Sequence, residues 1–163
     1  MTVHAVIDSP LGPLTAVTEN GFLTGLFMTD QRHRPDSSRF GPRDDCVLPE
    51  LREQLTNYWE GRLTRFTVPL ALAGTPFQQQ VWAALRQVPF GATCTYADLA
   101  TAIGRPTAVR AVGAANGRNP VCLVVPCHRV VGAGGALTGY AGGLERKQLL
   151  LQHELTHSAL LLG

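Results

Sequence analysis

The stretch that most limits how this chain can fold is 95–116, "TYADLATAIGRPTAVRAVGAAN". Thr95 followed three residues later by Asp98 has capping-box spacing, so a short helix opens there, and Gly104 closes it. "RPT" reads as a turn, and a further helix covers about Thr107–Asn116. Two short helices joined by a three-to-four-residue turn form a helix-turn-helix pattern. The second helix is unusual in carrying, apart from Arg110 and Asn116, only small side chains, among them Ala108, Ala111 and Gly113. A helix that reads base edges in the major groove normally presents several long polar groups. A thin cylinder with one arginine suits close approach to a narrow groove, where Arg110 can enter the stack, or else a helix packed against its neighbours.

Around this pair the chain divides into two lobes, residues 1–73 and 74–163. Val3–Asp8, Leu14–Thr18 and Phe22–Thr29 read as short strands joined by the turns "SPLGP" and "ENG", which favours a small antiparallel sheet. Asp30–Asp45 is polar with scattered Pro and Gly and reads as a surface loop. A helix follows over about Pro49–Glu60, with Leu51, Leu55, Tyr58 and Trp59 on one face and Gly61 as its stop. The second lobe opens on a helix capped by Thr75, Pro76 and Gln78, with Phe77, Val81, Trp82 and Leu85 as its apolar stripe. A last amphipathic helix, "LERKQLLLQHE", is expected to turn Leu144, Leu149, Leu150 and Leu151 inward, with a poorly ordered tail from Leu155. The expected fold class is therefore α/β in the α+β sense. An N-terminal lobe holds a sheet and a helix, and a mostly helical C-terminal lobe holds the helix-turn-helix, winged-helix-like in kind.

A formal charge of +2 does not argue for nucleic acid, but its distribution does. From Leu99 to Leu144 there is no Asp or Glu, while Arg105, Arg110, Arg118 and Arg129 all fall there. One face is expected to be positive and to suit a polyanion. No apolar run approaches the roughly 20 residues of a membrane helix. The first twenty residues lack a signal-peptide pattern. The expectation is a cytoplasmic protein without a membrane partner.

The same acid-free segment contains "VVPCHRVVG", residues 124–132, where a thiol, an imidazole and a guanidinium follow one another inside an apolar run. Four roles are open to Cys127: a buried structural residue, a metal ligand, a disulfide partner or a nucleophile. The four cysteines, Cys46, Cys94, Cys122 and Cys127, form no CxxC pair, which leaves zinc ribbons and thioredoxin-like chemistry without support. Disulfides are disfavoured in a reducing compartment. A nucleophile needs an accessible thiolate and a base to take its proton. His128 is adjacent, and His153-Glu154 near the end of the last helix can supply the group that orients it.

"PCHRVVG", with "NP" upstream and "GYAGG" downstream, resembles the active-site segment of the O6-alkylguanine-DNA alkyltransferases, the methylated-DNA–protein-cysteine methyltransferases. The likeness extends through "FQQQVWAAL", "VPFG", "TYADLA", "RAVG" and "RKQLLLQHE", and so covers Phe77 to Glu154. The resemblance implies direct-reversal repair: one irreversible transfer of an alkyl group from O6 of guanine, with O4 of thymine as a second candidate, to Cys127. It implies that His128 deprotonates Cys127 through a water, that Glu154 orients His128, that Asn119 braces the turn and that Tyr96 hydrogen-bonds the base. Arg110 would fill the gap left by an extruded nucleotide, with Thr107, Ala108, Ala111, Gly113 and Arg129 as further DNA contacts. Tyr140, Ala141, Cys122 and Val130 would line the alkylguanine pocket. The implied partner is double-stranded DNA carrying an alkylated base, bound from the minor groove by a monomer that can assemble cooperatively on DNA.

Two positions depart from the family pattern: Cys122, where a proline is common, and Ala141, where a serine is. No cofactor is expected. No metal is expected either, because His4, His33 and Cys46 do not reproduce the zinc ligands that some members carry. A non-reacting alkyltransferase-like protein would lack Cys127, and a sequence-reading regulator would carry a more polar second helix. A cysteine hydrolase would need an oxyanion hole and turnover.

Overall fold

The computed structural model of the chain describes residues 1–162, the side chains of 159–162 excepted. The fold is mixed α/β and divides into two compact units, Met1–Ala73 with Pro120–Cys122, and Gly74–Asn119 with the chain from Leu123 on. Among the described residues no helix is long and apolar enough to cross a membrane.

In the first unit β1 (Thr2–Ile7), β2 (Leu14–Glu19) and β3 (Phe22–Met28) form an antiparallel sheet in the order β1-β2-β3. The β2–β3 hairpin closes through Asn20 and Gly21 with φ of 52° and 85°. Positive φ at both central residues is the type I′ turn, whose twist matches that of the strands. The extended segment before residue 74 lies along β3, where Leu23 N–H donates to Pro69 O and Ala71 N–H to Leu23 O. Pro120–Cys122 joins the same strand: Leu26 N–H donates to Pro120 O at 2.8 Å and Cys122 N–H to Leu26 O at 3.2 Å.

The Asp30–Asp45 segment is not wholly a surface loop. Phe40 is buried, with its ring stacked on Phe27 at 5.7 Å between centroids and the Arg34 guanidinium carbon over the ring, 5.1 Å from its centroid. One aromatic in a polar stretch gives no periodicity, so its burial was not legible. Helix α1 (Pro49–Trp59) buries Leu51, Leu55 and Tyr58, with Pro49 in its first turn and Gly61 just beyond its end.

The second unit begins with α2 (Pro76–Leu85), opened by a complete Thr75–Gln78 capping box. Its Trp82 Nε1–H donates to Ala115 O at 2.9 Å, tying it to α4 (Val109–Gly117). Helix α3 (Tyr96–Ala102) carries the second capping box, Thr95 with Asp98. The connection from α3 to α4 runs from Ile103 to Ala108, longer than expected, so Thr107 and Ala108 precede the helix. Pro106 disfavours the helical conformation at Arg105, and the chain turns once more, Ala108 N–H to Arg105 O, before α4 starts. A two-residue parallel ribbon, β4 (Cys94–Thr95) with β5 (Val130–Val131), sets the head of α3 beside the 127–131 segment.

Helix α5 (Leu144–Leu162) corrects two expectations. It continues through the tail expected to be loose, because no Gly or Pro interrupts it. Its inward face is also different in part: Leu150 is buried as expected, but Leu144 and Leu149 are exposed, and Lys147 and Glu154 share the buried face with Leu150. Residues at i, i+3 and i+7 share a face, and here two of the three are charged.

Candidate alkyl-acceptor site

Pro126 determines how the thiol is presented. Its φ and ψ of −81° and 64° are those of an inverse γ-turn, and Cys127 N–H closes the turn onto Val125 O at 2.8 Å. Proline already holds φ near this value, so the turn costs little order. Asn119 Nδ2 donates to the same Val125 carbonyl at 2.7 Å, bracing the turn from outside. The chain then makes one 3₁₀ turn, Cys127–Arg129, which breaks the strand alternation and allows neighbouring side chains to serve one site.

His128 is fully buried, and its Nε2–H donates to Glu154 Oε2 at 2.7 Å. An ionised carboxylate only accepts, so the ring hydrogen sits on Nε2 and Nδ1 keeps a lone pair. Nδ1 is buried and has no hydrogen-bond partner among the described residues. Glu154 also accepts from Arg129 Nε at 2.7 Å and Nη2 at 3.1 Å, and from Gly91 N–H at 3.4 Å. Burial alone would raise the Glu154 carboxyl, but the His128 and Arg129 contacts outweigh it and hold the group well below the usual carboxylate range. Gly91, in "VPFG", has φ of +81°, and a Cβ there would lie 2.6 Å from the Ser158 side chain, so the turn can pass under α5 only without one.

Cys127 itself is buried. Burial pushes its thiol up, opposed by a hydrogen bond from Asn119, the charge of Lys147 and a hydrogen bond from Tyr140. The resting sulfur is therefore a protonated thiol with thiolate-favouring groups arranged around it. Cys94 is a useful contrast. Burial and the nearby Asp98 carboxylate push its thiol up to about 11.

Tyr96 stands at the head of α3, and its hydroxyl accepts from Thr138 Oγ1 at 3.2 Å. Gly113 of α4 faces the Tyr96 ring, where an added Cβ would sit 3.7 Å from Cδ1. Arg110, Thr107 and Ala111 are exposed, and Ala108 is half-buried. Tyr140 and Ala141 are half-buried in the chain between β5 and α5, and Val130 is buried in β5. Cys122 is buried within the first unit.

Arg129 is where the structure departs most from the expected site. It was expected among the DNA contacts, yet it is 6% exposed, forks onto Glu154 and donates through Nη1 to Val88 O at 2.7 Å. A guanidinium so engaged cannot reach a phosphate without abandoning a buried carboxylate. Three participants escaped the sequence reading: Lys147, Thr138 and Asn116, whose Nδ2 approaches Cys127 O at 3.5 Å. The only available signal for Lys147 was its position seven residues before Glu154 on one helix face.

Residues 2–72 match the family described as 6-O-methylguanine DNA methyltransferase, ribonuclease-like domain, and residues 76–156 match 6-O-methylguanine DNA methyltransferase, DNA binding domain. The chain belongs to the 6-O-methylguanine DNA methyltransferase family. The methylated-DNA–protein-cysteine methyltransferase of Mycobacterium tuberculosis (strain ATCC 25618 / H37Rv) is 48% identical over 154 residues, 94% of this chain and 93% of that protein. The enzyme of the same name from Methanosarcina acetivorans is 46% identical over 154 residues, 93% and 97% of the two chains. The crystal structure of Mycobacterium tuberculosis OGT in complex with DNA superposes with a TM-score of 0.88 at 47% identity, covering 94% of this chain and 93% of that one.

Proposed function

We propose that this protein repairs alkylated DNA by direct reversal, taking an alkyl group from O6 of guanine onto Cys127 in a single, irreversible step. The observation that carries the proposal is the Cys127-His128-Glu154 constellation. In it a buried thiol is followed in the chain by an imidazole whose Nε2 is fixed on a carboxylate and whose Nδ1 keeps a lone pair for a proton. The thiol proton passes to His128 Nδ1 through a bridging water, and Glu154 stabilises the imidazolium that results. Sulfur attacks the saturated alkyl carbon in line, the S–C bond forms and the C–O bond breaks. The guanine leaves with its charge relieved by the Tyr96 hydroxyl, and the thiol proton ends on the restored base. A thioether does not hydrolyse, so each molecule acts once.

DNA is the partner. The finer reading is that α4 enters the minor groove, that Arg110, exposed on a helix of small residues, fills the stack, and that the lesion rotates out to Cys127. Extrusion is needed because a buried sulfur cannot reach a stacked base. Thr107, Ala108, Ala111 and Gly113 provide the close approach. Tyr140 and Ala141 are read as the wall over the extruded base. The four free cysteines are compatible with a reducing compartment, and a cytoplasmic location is part of this reading.

Cys127→Ala tests the division of labour. Transfer from a duplex carrying O6-methylguanine should vanish while affinity for that duplex stays within about threefold, because α4 and Arg110 carry binding. Loss of both together would count against this assignment.

A further inference from the structure

Lys147 is completely buried in α5. Lysine is almost never fully buried unless its ammonium is paired. Here the partners are two carbonyls: Nζ–H donates to Thr138 O at 2.9 Å and to Gly139 O at 3.5 Å. No carboxylate forms an ion pair with it among the described residues. Both carbonyls lie in the glycine-rich chain just before Tyr140 and Ala141, and Thr138 also holds the Tyr96 hydroxyl. Seven residues on, along the same buried face, Glu154 grips His128 and Arg129. The inward face of α5 therefore carries two buried charges, one held by the loop before Tyr140 and the other by the residues that follow Cys127.

The charges inside the site make the role of this ammonium specific. Arg129 and Glu154 cancel each other through their forked contact. Before reaction Cys127 is a neutral thiol, and Lys147 is a buried cation with dipoles alone for company. Once the thiol proton leaves through His128, the sulfur anion and the ammonium become a pair. Their influence is mutual: Lys147 favours the thiolate, and the thiolate favours the charged lysine against the burial that lowers it.

We propose that Lys147 is a positioning residue of the alkyl transfer, clipping the Thr138 and Gly139 carbonyls so that Tyr140 and Ala141 stand over the pocket, and serving as the counter-ion of the Cys127 thiolate. This rests on Cys127 being the acceptor. Among the described residues the other titratable or charged groups assigned to the site are His128 and Arg129 on the Cys127 turn, Glu154 on α5, Tyr140 in the following loop and Tyr96 on α3. α2 brings no charged side chain.

Two variants separate the clip from the charge. Lys147→Gln keeps N–H donors for the carbonyls and loses the charge, and Lys147→Met loses both. Methylation of Cys127 by O6-methylguanine duplex is followed by intact mass from pH 6 to pH 10, with thermal melts recorded on each protein. Lys147→Gln should react roughly tenfold or more slowly at pH 7, with its rate profile displaced to higher pH and converging on wild type at the alkaline end. Lys147→Met should show the same displacement plus a lower plateau. A Lys147→Gln profile that matches wild type, or that is lower by one factor at every pH, overturns the counter-ion role.

Should neither variant fold, ¹³Cε-lysine spectra of the wild-type protein before and after methylation of Cys127 decide it. The Lys147 titration should move to lower pH once the sulfur can no longer carry charge, and an unmoved titration refutes the pairing. Failure of wild-type protein to gain a methyl group on Cys127 would instead overturn the reading of the site.

Discussion

Glu154→Gln is the sharpest perturbation of the site that leaves its shape nearly intact. The carboxylate is buried and accepts from His128, from two nitrogens of Arg129 and from Gly91 N–H. Glutamine offers one acceptor where two are used, and its amide N–H₂ then faces a guanidinium that has lost its counter-charge. Removing one member of a buried ion pair costs about 3–5 kcal/mol, and the isosteric replacement belongs at the lower end. For a chain this size each kcal/mol moves Tm by about 2–4 °C, so a fall of roughly 6–12 °C is expected at pH 7 by differential scanning calorimetry.

The pH dependence carries a sign that tests the same point. Glu154 has a depressed value in the folded protein, while the unfolded chain titrates near its ordinary value of 4.5. Its contribution is thus complete above about 4.5 and fades as pH falls below it, where the unfolded chain binds a proton that the folded one refuses. Wild-type protein should lose stability steeply below pH 4.5, and the Gln variant should lose less over the same interval. Arg129→Met combined with Glu154→Gln should be less destabilised than the two singles summed. A Glu154→Gln protein that melts within about 1–2 °C of wild type would refute the claim that this carboxylate is the electrostatic centre of the site.

Other outcomes follow from the same geometry. Arg129→Met should lower Tm by several degrees yet leave the DNA affinity of the folded protein unchanged within twofold, measured by anisotropy; a selective loss of affinity would restore Arg129 to the DNA interface. Arg110→Ala should leave Tm unaltered, since the side chain is exposed, but should slow repair of the duplex at least tenfold more than reaction with free O6-methylguanine base; equal losses on both would contradict extrusion. Asn119→Ala frees the Val125 carbonyl inside the protein and should cost about 1–3 kcal/mol, read from urea midpoints. Peptide mapping after reaction should find no alkyl group on Cys94, whose thiol is pushed up to about 11.

Much of this architecture was legible because local signals coincide with the structure. Both capping boxes, the Asn20-Gly21 turn and the Gly61 stop act within a few residues, and each falls where its spacing indicated. Pairing across long separations was not legible. Nothing local links Cys94 to Val130 or Leu26 to Val121, although the first contact sets Tyr96 beside the acceptor turn. The α5 face was misread for a definite reason. Counting leucines marks Leu144 and Leu149 as core along with Leu150, whereas the buried stripe joins Leu150 to Lys147 and Glu154, two charges that a hydrophobic pattern excludes. Arg129 was misread the same way: an arginine in an acid-free segment looks solvent-directed until Glu154 arrives from 25 residues further along the chain.

The central claim is that Cys127 accepts the alkyl group once and keeps it. The direct measurement is intact mass of the protein after mixing with a duplex bearing a single O6-methylguanine, followed by peptide mapping. The account predicts a gain of one methylene on Cys127, saturating at one equivalent and absent in Cys127→Ala. An unchanged mass with the lesion still bound, a gain on another residue, or continued loss of lesion beyond one equivalent would contradict it.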